Sequence, residues 1–105
     1  MMNEDLSEIV WLTIIAGRKQ KDSLLIALTQ AGGRLINTMY GRGSADAGYF
    51  KEMFGFVTEE HKVVITSLMR NEKAVALLEL LVEKFSFDKP NTGIAFTSSV
   101  ETVSF

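Results

Sequence analysis

The sequence contains no cysteine, one histidine (His61), one proline (Pro90) and one tryptophan (Trp11). Without cysteine there are no disulfides, no thiolate metal sites and no thiol nucleophiles. A single histidine leaves any His-based metal cluster or catalytic dyad resting on one residue, so no metal ligand is assigned. Excess positive charge is missing too: 11 Lys and Arg face 13 Asp and Glu, for a net charge of −2. Such a balance provides no electrostatic footprint for nucleic acid. No apolar run approaches the roughly 20 residues that a bilayer-spanning helix requires. The segment Met1 to Glu8 is acidic and has no basic region ahead of an apolar core, unlike a signal peptide. A cytoplasmic protein without direct membrane insertion is therefore expected. No carboxylate pair, nucleophile–base pair or metal set has supporting spacing, which makes an enzyme the weakest reading and leaves no catalytic residue to name.

What is present suits a globular chain. With 105 residues, 47% of them apolar, one domain over 1–105 with a single core is expected. Ile9 to Ala16 is a continuous apolar run rich in β-branched residues, which predicts a strand buried on both faces. A basic loop, Gly17 to Lys21, follows. Asp22 is placed to cap a helix whose apolar face is Leu24, Leu25, Leu28 and Ala31, and Gly32-Gly33 supplies its left-handed stop. Arg34 to Tyr40 reads as a second strand anchored by Leu35 and Ile36, and Lys62 to Met69 as a third. Asn71 is a plausible cap for a second helix, along which Ala74, Val75, Leu77, Leu78, Leu81, Val82 and Phe85 form a wide apolar face. A loop from Asp88 to Gly93 leads into a last strand, Ile94 to Val103.

The order β-α-β-β-α-β predicts an α+β, ferredoxin-like sandwich: a four-stranded antiparallel sheet, two helices on one face, and a long loop between strands 2 and 3. Loops of that length in a small domain are usually functional or disordered. The bare face of the sheet would leave apolar area in water at a loss of roughly 25 cal/mol per Å2, and another copy of the chain is the simplest cover.

Three features together resemble the PII nitrogen-regulatory family, in its divergent PII-like branch. Gly41-Arg42-Gly43-Ser44 is similar to the Gly-Arg-Gln segment at the base of that family's T-loop. The interval from Gly41 to Lys62 matches the family's interval from that glycine to a lysine opening the third strand. Asn91-Thr92-Gly93 falls on the Gly-Asp-Gly of the B-loop. The resemblance spans the chain from the first strand to Val103. It implies a homotrimer whose three inter-subunit clefts take ATP or ADP, with 2-oxoglutarate and Mg beside the nucleotide. It also implies a signal-transduction role, set in nitrogen metabolism, in which the 42–61 loop docks on a transporter or enzyme. The residues carried over as nucleotide-binding are Gly41, Arg42, Gly43, Lys62, Asn91, Thr92 and Gly93.

Several family positions differ here. The glutamine after the T-loop arginine is Gly43, and the lysine after the B-loop glycine is Ile94. The family's uridylylated tyrosine aligns with Gly55 and its phosphorylated serine with Met53, while Tyr49 is not at the modified position. The bland alternatives stay open: Arg42 as a solvated loop residue, Lys62 as an exposed strand-start lysine, Asn91-Thr92-Gly93 as a turn. Tyr49, Phe50, Met53, Phe54 and Phe56 form an aromatic second half of the loop, either self-packed or a partner-docking surface. A ligand-independent trimeric interaction protein, or a trimer like the copper-tolerance CutA proteins, are the other readings.

Overall fold

The computed structural model describes residues 9–41, 61–89 and 92–100. Its elements run β1 (Ile9–Gly17), a 3-10 turn (Arg18–Gln20), α1 (Lys21–Gln30), β2 (Arg34–Gly41), β3 (Lys62–Arg70), α2 (Asn71–Phe85) and β4 (Gly93–Ser99). The four strands form one sheet in the order β2-β3-β1-β4, and every pairing is antiparallel. The fold is the expected α+β, ferredoxin-like arrangement.

Strand alternation separates the two faces of the sheet. Val10, Leu12, Ile14 and Ala16 of β1 and Val63, Ile65 and Met69 of β3 are buried against Leu24 and Leu28 of α1 and Ala74, Leu77 and Leu81 of α2. These twelve side chains are the core of the described residues. On the opposite face Ile9, Trp11, Thr13 and Ile15 are only half-buried. The expected burial of β1 on both faces is thus complete under the helices and partial on the bare side. Met39 and Phe96, whose strand partners are Val64 and Thr13, are 56% and 41% exposed, so within one chain the bare face is a wet apolar surface.

Both helices start differently from the sequence expectation. Asp22 does not cap α1; the 3-10 turn carries the chain one residue into the helix before it, so Asp22 lies in the first turn and pairs with Lys21 at 3.6 Å. Asn71 is already helical, and the cap position of α2 is Arg70, which makes no side-chain capping bond. The stop of α1 is as expected. Gly32 has φ +92, and the Gly33 amide donates to the Leu28 carbonyl at 3.0 Å, a left-handed termination.

Strand β2 carries an irregularity that hydrophobic pattern does not announce. Arg34 pairs with Leu68 and Asn37 with Thr66, so Leu35 and Ile36 together stand opposite Ser67. This one-residue bulge puts Leu35 at φ +50 and leaves it 69% exposed, while Ile36 packs against the core. Only one of the two expected anchors therefore anchors. The buried Ser67 hydroxyl donates to the Arg34 carbonyl at 2.7 Å, supplying an acceptor's partner where the ladder is interrupted.

Candidate functional site

The strand register collects one end of every strand at one end of the sheet. Gly41 pairs with Lys62, Lys62 pairs with Gly17, and Ala16 pairs with Gly93. The two ends of the 42–61 loop therefore emerge from neighbouring, paired positions. Gly41 and Gly93 sit on opposite edge strands, separated by three inter-strand steps, or about 14 Å. Arg42, Gly43, Asn91 and the aromatic set Tyr49, Phe50, Met53, Phe54 and Phe56 lie outside the described residues.

Gly41 is the sequence-singled position with the clearest structural consequence. A Cβ built there meets nothing within 4 Å among the described residues, so their packing does not require glycine. The absent side chain leaves an open approach to the backbone, which suits a ligand or a second chain. Lys62 is half-buried, and its carbonyl accepts a hydrogen bond from Arg18 Nε at 3.4 Å. Thr92 is occupied locally: its hydroxyl lies 2.6 Å from the Ser86 carbonyl and 2.8 Å from the Lys89 carbonyl. One hydroxyl proton shared between these acceptors staples the turn after α2. At Gly93 an added Cβ would overlap the Phe87 ring, so there the fold itself excludes a side chain.

Three residues that sequence reasoning did not single out complete the loop base. The Arg18 guanidinium lies 4.7 Å from the Tyr40 ring centroid and the Lys21 ammonium 5.8 Å from it, two cation–π contacts on one phenol. The Arg18 amide also donates to the His61 carbonyl at 3.3 Å. Arg18 thereby ties the turn after β1 to both the end of β2 and the start of β3. The ammonium of Lys21 is held above its ordinary pKa of 10.5 by the hydrogen bond and charge attraction of Tyr40, with Asp22 assisting. Gln20 Oε1 is buried with no hydrogen-bond partner among the described residues. The signal available in the sequence was the basic run Arg18-Lys19-Gln20-Lys21, but nothing local tied it to Tyr40.

This end of the sheet thus combines Arg18, Lys19, Lys21 and Lys62 with an open backbone at Gly41, an arrangement that attracts anions. Among the described residues there is no group of three His, Cys, Asp or Glu side chains able to hold a metal, and no helix is long and apolar enough to cross a membrane.

No family model matches the chain, and no curated protein matches its sequence. Solved structures do match in fold. The CPII protein of Thiomonas intermedia K12, solved with ADP, AMP and acetate, is similar with a TM-score of 0.69 at 17% identity, covering 91% of this chain and 89% of that one. A candidate PII-like signalling protein from Thermus thermophilus gives a TM-score of 0.66 at 18% identity over 88% of this chain and 85% of that one. Arabidopsis thaliana PII, bound to citrate, gives 0.63 at 17% identity over 90% and 78%. At this level of identity the likeness is one of architecture. The chain has the fold of the PII-like proteins.

Proposed function

We propose that this chain is a PII-like regulatory protein. In this reading it is a single PII-like domain that assembles as a homotrimer, senses a small anionic effector between subunits, and acts on a protein partner through the 42–61 loop. An adenine nucleotide is the first effector to test. The observation that carries the proposal is the loop base: Gly41, Lys62, Arg18 and Lys21 gather where the loop leaves and rejoins a PII-like sheet. Gly93 lies on the far edge strand, so a site using both edges requires the β2 edge of one copy beside the β4 edge of the next. The bare apolar face supports such assembly, since burying it recovers roughly 25 cal/mol per Å2. Neighbours in fold carry anions, ADP and AMP in Thiomonas CPII and citrate in Arabidopsis PII, which agrees with a cationic cleft.

Two measurements on the purified chain test this. Sedimentation equilibrium is expected to return three times the chain mass. Calorimetric titration with ATP, ADP and AMP, each with Mg, is expected to show binding that Lys62→Ala or Arg18→Ala weakens by about tenfold, the worth of one charge-assisted hydrogen bond. No heat with any of the three nucleotides at millimolar concentration rejects the nucleotide effector. A monomer at all concentrations rejects the inter-subunit site.

A further inference from the structure

The flank of α2 that faces the β4 side keeps an apolar stripe in water. Val75, Leu78 and Val82 stand at i, i+3 and i+7, so they line one side of the helix. Leu78 is half-buried, while Val75 and Val82 are 48% and 44% exposed. The stripe runs into an open hollow of about 270 Å3 between α2 and β4, lined by Leu78, Leu81, Val82, Phe87, Ile94 and Ala95. Its walls belong to the fold: Leu81 is a core residue, and the Phe87 ring takes the space that a Cβ at Gly93 would need.

Charge along α2 is sorted by side. Glu72, Glu79 and Glu83 are exposed, and their spacing sets them in a row beside Val75 and Val82. Lys73 and Lys84 fall on the other flank of the helix. Glu72 shares its charge with Arg70, Nε to Oε1 at 3.9 Å, so Glu79 and Glu83 carry the acidic edge of the stripe. Apolar stripe and acidic edge together select among occupants. A second copy packed through the same flank by two-fold symmetry sets glutamates against glutamates. An anionic membrane surface is repelled in the same way. A segment with an apolar face bordered by Lys or Arg is complementary in both respects.

We propose that this flank of α2 docks a basic amphipathic helix of a partner protein. Apolar residues of the partner cover Val75 and Leu78, one of them enters the hollow beside Val82, and its Lys or Arg residues meet Glu79 and Glu83. Val75 to Val82 spans about 10 Å of helix, two turns, which fits partner anchors at i, i+3 or i+4, and i+7. The surface lies on the helix side of the sheet, apart from the loop base and the bare face, and does not depend on the regulatory reading.

The test is a heteronuclear NMR titration of the full chain with an amphipathic peptide of leucine and lysine, about 14 residues or four helical turns long, run beside its leucine–glutamate counterpart. The lysine peptide is expected to give saturating shifts centred on Val75, Leu78, Val82, Ile94 and Ala95, and the glutamate peptide is not. The double variant Glu79→Gln, Glu83→Gln, at exposed positions, is expected to weaken binding about fivefold, the worth of two surface ion pairs. Val82→Ala is expected to weaken it about tenfold through lost apolar contact. Equal binding of the two peptides overturns the proposal by showing an adhesive apolar surface only. No binding, or shifts centred elsewhere, overturns it as well. A Val75→Ser, Val82→Ser variant is run in sedimentation equilibrium beside the unaltered chain, and a fall in mass overturns the proposal by assigning the flank to a second copy. Glu101 to Phe105 follow β4 in the sequence, so a Val103→Ser, Phe105→Ser variant is titrated in parallel. If only that variant binds the lysine peptide, the chain's own segment fills the hollow and a partner helix is ruled out.

Discussion

One phenol ring holds the loop base in register. Tyr40 receives Arg18 and Lys21 on its ring, and Arg18 passes the constraint on to His61 and Lys62 through their carbonyls. The upward shift of Lys21, caused first by Tyr40, has a definite sign in linkage. Folding favours the charged amine, so the contribution is complete below 10.5 and disappears as pH rises through the higher folded-state value. It therefore adds no pH dependence near neutrality. Tyr40→Phe is expected to bring the Lys21 titration, followed by NMR of its side-chain carbons, back toward 10.5; an unmoved titration assigns the shift to Asp22 instead. None of this was legible in the sequence, because 22 positions separate Tyr40 from Arg18 and no periodic pattern reports a contact between a loop and a strand end. Gly41 and Lys62, by contrast, were legible as a pair, since the loop between two antiparallel strands returns to where it left.

At the scale of elements, the strands and helix faces followed from local pattern and the irregular joints did not. The run Ile9 to Ala16 and the Gly32-Gly33 stop identify β1 and the end of α1 because apolar continuity and left-handed glycine each have few structural uses. The helix starts were misplaced by a residue or more because Asp22 and Asn71 have the right chemistry for a cap but stand inside the helix, behind Gln20 and Arg70. The bulge in β2 was invisible because the group that compensates for it, the Ser67 hydroxyl on the Arg34 carbonyl, lies 33 residues away in the chain. The bulge leaves Leu35 in left-handed backbone, at a cost of about 1–2 kcal/mol for a residue with a Cβ. Because Leu35 is 69% exposed, little packing is lost by removing it. Leu35→Gly is expected to raise stability in urea unfolding by about 0.5–1 kcal/mol, after the entropy of the added glycine is deducted. A loss of stability there would show that a neighbouring copy covers Leu35.

For the whole molecule, the apolar face that the helices leave bare is the feature with the widest consequence. The sequence predicted a β1 buried on both sides, and one chain achieves this on one side only. A second copy is the simplest cover for what stays exposed, which is why assembly belongs in the proposed function. The fold itself was legible because two strand-helix-strand halves joined in this order have few ways to form one sheet. The site was legible only in part: register alone brings Gly41, Lys62 and Gly93 to one end, whereas the meeting of Arg18 and Lys21 with Tyr40 depends on the turn that follows β1.

The pairing of Gly41 with Lys62 makes the loop between them a detachable cassette. A two-residue Asn-Gly turn spans the same gap and matches the twist of the flanking strands. Replacing residues 42–61 by Asn-Gly is expected to leave the sheet intact and to stabilise it by about 2 kcal/mol, the closure entropy of the longer loop. Circular dichroism and urea unfolding check this directly. A scaffold that survives such an exchange can evolve its loop without renegotiating its core, and can accept a loop from another protein of the same fold.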